Sequence, residues 1–191
     1  MINVTDTIKE AYSKSTTQYD KIVLDDEEYA INNVELDDDC YKEGNIFGTA
    51  IAKALSFEID SSVDLEGKEF KYYTGIKTTV GIEWIDLGTF ITQEVDPNDT
   101  TKINTINAMD YMLKTNIEYT SDLQYSNNNI TLGQVAQEAC NKAGITLATI
   151  DFPNVDFIVD SNQFSQGTLI RQVISAIAQI SGTVAKIKND D

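Results

Sequence analysis

The sequence predicts an α+β protein in two parts: an all-β, barrel-like unit over residues 1–105, then a small α+β unit over residues 106–191. Three observations carry this. From Tyr19 the apolar residues recur with a period of two, in short runs broken by glycines and without helical patterns between them. After Ile106 the period becomes helical. The apolar content, 41% of 191 residues, is sufficient for a folded core, which excludes global disorder.

Taken in order, Thr7-Ile8-Lys9-Glu10 has the form of a capping box, and Ile8, Ala11 and Tyr12 share one helical face, so a short helix opens the chain. "YDKIVL" and "YAINNVEL" flank Asp25-Asp26-Glu27-Glu28, a polar turn between two strands. "IAKALSFEID" places Ile51, Leu55, Phe57 and Ile59 on one strand face. "LEGKEFKYYTG", "TTVGIEWI" and "DLGTFITQEV" continue the series. Gly88 marks a bulge, because Ile85 and Leu87 precede it in phase and Phe90 follows out of phase. Many short strands at such spacing predict a barrel or sandwich.

In the second part, "AMDYMLKTNIEY" predicts a short helix entered near Asp110. Thr131 and Gln134 form a capping box for "LGQVAQEACNKAG", whose Leu132, Val135, Ala136, Ala139, Cys140 and Ala143 make a continuous stripe stopped at Gly144. "DFIVD" predicts a short strand. A last helix runs from about Thr168 to Ser181, stops at Gly182, and is followed by a strand near Val184 to Ile187. Ile170, Val173, Ile174, Ile177 and Ser181 lie on its stripe, widened by Leu169, Ala176 and Ile180. The polar remainder is narrow: Arg171, Gln172, Ser175 and Gln179. Such a helix needs cover over more than half its circumference, from a neighbouring helix plus a sheet or a partner chain.

Charge limits the partners. There are 14 basic and 31 acidic residues, a net charge of −17. Residues 1–105 hold 22 acids against 9 lysines, a surplus of 13, and residues 106–191 hold 9 acids against 5 bases, a surplus of 4. Stable binding of nucleic acid needs clustered cations that release counterions, so DNA or RNA is not expected as a bound ligand. No apolar run approaches the roughly 20 residues that span a bilayer, and the start "MINVTDTIKEAY" lacks the layout of a secretory signal. Cys40 and Cys140 are too few and too far apart for a disulfide framework, which fits synthesis in a reducing compartment. The three glycosylation-type triplets at Asn3, Asn98 and Asn129 are then chance occurrences.

The same inventory predicts no catalytic, cofactor-binding or metal-binding residues. The chain has no histidine, no phosphate-binding glycine loop and no nucleophile elbow. Asp25-Asp26-Glu27-Glu28 and Asp37-Asp38-Asp39 read as solvated acidic runs. Asp96, Asn98 and Thr100 are spaced like the start of a calcium loop that lacks the glycine and the distal glutamate. Cys140, on an apolar stripe, is expected buried and inert, and Cys40 sits among acids that raise its pKa. Trp84 with Tyr72 and Tyr73 offers a possible sugar-binding face, against the commoner core role of strand aromatics. Arg171, near a helix N-terminus, opposes the macrodipole and is expected to find a carboxylate partner.

"AMDYMLK", "TLGQVAQEACNKAGI", "FPNVDFIVDSNQF" and "IRQVISAIAQISGTVAKI" occur in the order seen in the N-terminal hub region of siphophage and prophage tail-tip proteins, the tail-associated, prophage-endopeptidase-like family. "FGTAIAKALSFEI" and "DLGTFITQEV" resemble strands of the same family. The likeness runs from the Thr7 helix to Ile187. One position departs: the family's threonine stands two residues before the arginine, whereas Thr168 stands three before Arg171.

The resemblance implies a baseplate-hub-like fold, as in contractile tails. It implies a trimeric ring that closes the tail tube, joins the distal tail protein to fibre or lysin domains, and sits on the path of the tape-measure protein. DNA would be met only in passage, and no direct membrane anchor is expected. The protein would be made in the bacterial host cytoplasm and end in the virion tail. The family's lysin residues lie beyond the span matched here, so none is carried over. The acidic surplus of the first part would then line the ring axis, or else serve solubility. The residues themselves also admit a carbohydrate-binding adhesion module using Trp84, Tyr72 and Tyr73, and a carboxylate-only hydrolase.

Overall fold

The computed structural model describes residues 4–12, 17–37, 48–125, 129–159, 164 and 167–188. The chain divides into two compact units. Residues described within 4–37 and 54–110 form the first; those within 48–53 and 111–188 form the second.

The first unit contains α1 (Asp6–Tyr12), β1 (Gln18–Leu24), β2 (Glu27–Ala30) and β3 (Asn32–Asp37). The next strand, β4 (Thr49–Ile51), belongs to the second unit. The first then resumes with β5 (Ala54–Asp60), β6 (Glu69–Thr78), β7 (Gly81–Asn98) and β8 (Ile103–Asp110). Its seven strands pair antiparallel in the order β2-β1-β6-β7-β8-β5-β3.

The barrel predicted for this part does not close. β2 and β3 are edges of the sheet, joined through the single residue Ile31 but not paired with each other. Two local causes are visible: β2 is only four residues long, and Asn33 has φ 49°, which breaks the β3 ladder beside Asn32. The sheet is nonetheless strongly curled. Phe57 on β5 and Phe70 on β6 are three strand spacings apart, about 14 Å along a flat sheet, yet their rings meet edge to face with centroids 5.6 Å apart. Phe90 stacks on Phe70 at 6.3 Å, and Ile22, Leu55, Leu65 and Ile106 complete the buried core.

Several local expectations are met by geometry. The bulge lies at Leu87–Gly88, where Tyr72 pairs with Gly88 and Tyr73 with Asp86, and Gly88 has φ 115°. The β1–β2 turn is tighter than the four acids suggested. Asp25 and Asp26 both have positive φ, the arrangement of a two-residue turn that follows the strand twist, and Glu27 and Glu28 belong to β2.

The first helix is capped differently from the expectation. Thr5, not Thr7, accepts from the Ile8 backbone N–H, at 3.3 Å. Thr5 and Thr7 donate their hydroxyls to the two oxygens of Glu83 on β7, at 2.6 Å each. These bonds hold the Glu83 carboxyl below its ordinary pKa. A depressed carboxylate contributes stability above its unfolded pKa and loses it as pH falls through the folded one. The α1 amides are therefore expected to keep their exchange protection at neutral pH and lose it on acidification below the ordinary glutamate range. Glu83→Gln should weaken that acid dependence in a hydrogen-exchange series.

The short helix predicted within "AMDYMLKTNIEY", entered near Asp110, is present in part, as a 3-10 helix that starts at Tyr111. The β7–β8 ladder continues through Met109 and Asp110, so strand pairing takes Ala108, Met109 and Asp110 out of the helical pattern. The 3-10 helix, Tyr111–Thr115, follows, closed by the Thr115 hydroxyl donating to the Met112 carbonyl at 2.6 Å.

α2 (Leu132–Lys142) starts at the capping box: the Thr131 hydroxyl accepts from Gln134 N–H, and the Gln134 carbonyl accepts from Thr131 N–H at 2.8 Å. Its end passes through Ala143 to Gly144, φ 67°. α3 (Ile170–Ser181) begins two residues later than expected, after Leu169, and stops at Gly182, φ 62°. Among the described residues of "DFIVD", one bridge forms, Ile158 with Thr131, rather than a strand. β9 (Val184–Lys186) pairs in parallel with β4. Ile51 is thereby separated from Leu55, Phe57 and Ile59, with which the sequence pattern grouped it. Val135, Ala136 and Ala139 of α2 share one core with Ile170, Val173, Ile174 and Ile177 of α3, and with Ala50 of β4. The second helix and the small sheet thus supply the cover that α3 requires.

Candidate interaction surfaces

The outer face of the first unit's sheet carries the aromatic residues singled out above, but not as a trio. Strand alternation turns Tyr72 inward, where it is 2% exposed and donates its hydroxyl to Asp20 at 2.7 Å. Tyr73 faces the other way, opposite Lys21. The Lys21 ammonium lies 4.2 Å from the Trp84 ring centroid and 5.6 Å from that of Tyr73, and it pairs with Glu28 at 2.5 Å. Gly75 is required here: a Cβ on it would fall 2.7 Å from the Trp84 ring and 2.8 Å from Ile82. The result is an apolar row of Tyr19, Trp84 and Ile82, each about two-fifths exposed, running to Val80 at the hairpin tip. A sugar stacking on Trp84 would compete with the bound ammonium.

In the second unit, the polar strip of α3 grips β4. Arg171 donates from Nε and Nη2 to the Ala50 carbonyl, at 3.4 and 3.1 Å, and the Ser175 hydroxyl accepts from Ala50 N–H at 3.2 Å. Arg171 and Ser175 are one turn apart, so together they satisfy both backbone groups of a residue on the side of β4 away from β9. Gln179, one turn further, packs against Gly48. Among the described residues, the partner of Arg171 is therefore a carbonyl rather than the expected carboxylate. The signal was present in the sequence as the strip Arg171, Gln172, Ser175, Gln179, but its target was not.

Glu138 is a residue that the sequence reading passed over. Its carboxylate accepts from the Tyr119 hydroxyl, from the Ser121 hydroxyl at 2.7 Å and from Asp122 N–H at 2.6 Å. Lys142, one turn along α2, pairs with Asp122 at 2.6 Å. Burial and the bond to Glu138 push the Tyr119 phenol far above its ordinary pKa. This cluster ties residues 119–123 to α2 and has the character of a structural latch. A lone glutamate on a polar helix face carries no pattern that would have found it.

Cys140 lies 7% exposed on α2, and burial raises its thiol pKa. Labelling by a thiol reagent at neutral pH is expected to be at least about 100-fold slower in the native chain than in the unfolded one, because both access and thiolate fraction fall; fast native labelling would contradict the packing. Cys40, Asp38 and Asp39 lie outside the described residues. In the stretch Asp96 to Thr100, the Asn98 side-chain carbonyl accepts from Thr100 and Thr101 N–H, at 3.1 and 3.2 Å, so it closes its own turn. Among the described residues no group of three acidic or thiol side chains converges as a metal site, and no helix is long and apolar enough to cross a membrane.

What the arrangement offers is surface for protein contact. Besides the sheet row, the second unit exposes Ile150, Phe157 and Ile158 in the α2–α3 connection and Ile180 on α3.

No protein-family model and no curated protein matches this chain. Solved structures do. The chain is similar to the tail protein from Neisseria meningitidis MC58, with a TM-score of 0.53 and 13% identity over 87% of this chain and 49% of that one. It is similar also to the 43 kDa tail protein of prophage MuSo2 from Shewanella oneidensis, with a TM-score of 0.54 and 15% identity over 86% of this chain and 49% of that one. The chain has the fold of these phage tail proteins, and it spans about half the length of each.

Proposed function

We propose that this chain is a structural hub of a phage or prophage tail tip. It assembles through itself as a trimeric ring, closes the tail tube beneath the distal tail protein, lies on the tape-measure path, and carries fibre or lysin domains. It resides in the virion tail and performs no catalysis of its own. The observation that supports the reading is the shared fold with two tail proteins over 86–87% of the chain, in line with the ordered motifs of the tail-tip resemblance. DNA is met in passage and not bound, which the surplus of 13 acidic charges in residues 1–105 favours. The carbohydrate-module alternative loses ground, since Tyr72 is buried and Lys21 already occupies the Trp84 ring.

Immunogold labelling of intact particles with antibody against this chain tests the proposal. Label is expected at the distal end of the tail. Label along the tube or on the head, or tails of normal architecture without the protein, would overturn the hub assignment.

A further inference from the structure

The first helix is held to the sheet by few contacts, beside a place that the sheet leaves poorly filled. α1 is 7 residues long, short of the roughly 12–15 that sustain a helix alone in water. Its shape therefore depends on β6, against which it packs. Among the described side chains of α1, Ile8 alone is buried, at 3% exposure. The Asp6–Lys9 pair is exposed and internal to the helix, so it does nothing to hold the helix down. A polar tie is made by Glu83, whose two oxygens accept from the Thr5 and Thr7 hydroxyls. Glu83 stands opposite Ile76 of β6, and cross-strand partners share a face, so the tie lies on the side of the sheet that also carries Tyr72 and Thr74. Ile8 and Ile76 are both buried, yet neither belongs to the core built on Phe57, Phe70 and Phe90.

On the same face lies a cavity of about 410 Å³. Val4, next to Thr5, forms part of its wall, together with Val34, Leu36, Ile85 and Leu87. Thr74 lines it too; that residue is 7% exposed, and its hydroxyl has no hydrogen-bond partner among the described residues. The closed segment thus shields an unpaired hydroxyl and apolar walls that lack packing partners. Both penalties bring the closed state nearer in free energy to an open one.

We propose that α1 is a detachable strap: residues 4–12 lift away as a unit, with the Glu83 bonds as a catch, while the seven-stranded sheet stays paired and the cavity wall opens to solvent. The strap hangs on one apolar anchor and one carboxylate, whereas the sheet is held by a ring cluster that excludes Ile8. Local opening of such a segment needs far less free energy than global unfolding. The device follows from this geometry and stands apart from the tail-tip reading.

Native-state hydrogen exchange on the full chain at neutral pH tests it, with anilinonaphthalene sulfonate as the dye for opened apolar surface. The Lys9 amide, bonded to the Thr5 carbonyl at 3.1 Å, reports on the strap, and the β6 amides report on the sheet. Lys9 is expected to be protected, yet to exchange at least about 100-fold faster than β6 and at a rate that low denaturant leaves unchanged, the mark of local opening. Glu83→Gln, which removes one of the two acceptor oxygens, should speed Lys9 exchange and raise dye fluorescence several-fold, with the unfolding midpoint of the sheet unchanged. Thr74→Val should slow Lys9 exchange, because no hydroxyl then gains a partner on opening. Exchange of Lys9 and β6 together, with one denaturant dependence, overturns the proposal. That outcome is read on the wild-type chain and needs no variant to fold. Faster Lys9 exchange in Glu83→Gln without any gain in dye fluorescence overturns it as well.

Discussion

Phe70→Ala is expected to destabilise the first unit by about 3–5 kcal/mol, the range for removing a fully buried phenylalanine. Phe70 is 2% exposed and sits between Phe57, edge-on at 5.6 Å, and Phe90, stacked at 6.3 Å. The loss exceeds that of an ordinary core side chain for a topological reason. Phe57 and Phe70 lie three strands apart, so their contact holds the curl of the sheet as well as filling space. Denaturant unfolding followed by Trp84 emission, which reports on this unit, measures the effect. Phe70→Leu should recover part of it, because volume returns without the edge-to-face pairing. A loss below about 1 kcal/mol for the alanine variant would mean that the curl does not depend on this contact.

Gly48→Ala is expected to be the most damaging small substitution in the second unit. Gly48 has φ 84°, a conformation that costs a residue with a side chain about 1–2 kcal/mol. The added Cβ would also fall 2.6 Å from the Gln179 Cβ and 3.0 Å from its backbone Cα, atoms that cannot swing away. Overpacking of that kind adds about 1–3 kcal/mol, so the total is roughly 2–5 kcal/mol. The structural result is release of β4 from α3, read as lost amide protection at Ala50, whose N–H is held by Ser175. Gly67→Ala is the control: φ is 64° but nothing lies within 4 Å of the added Cβ, so only the conformational cost applies. Arg171→Ala, which leaves the 2% exposed Ala50 carbonyl without its partner, should cost about 1–3 kcal/mol. Equal effects of Gly48→Ala and Gly67→Ala would show that the close approach to α3 carries no weight.

The sequence by itself determined the elements whose causes are local. The capping box at Thr131 and Gln134, the stops at Gly144 and Gly182, the buried stripe with Cys140, and the bulge at Gly88 each depend on residues within one turn or one pleat of each other. It also determined the period change that separates strands from helices, and it held the polar strip of α3. Tertiary structure alone decided everything that joins distant residues. Whether the barrel closed depended on Asn33 and a four-residue β2, not on apolar pattern. Where in "AMDYMLK" the strand gave way to helix, between Asp110 and Tyr111, depended on the reach of its β7 partner. Ile51 left its apparent strand because Ala50 found Arg171 and Ser175, 121 and 125 residues away, and β9 beside it. Local hydrogen bonding and side-chain periodicity are written in neighbouring residues. Strand pairing, edges and the surfaces they leave open are settled only when loop closure brings distant segments together, and there the competing pairings differ by little more than the packing they permit.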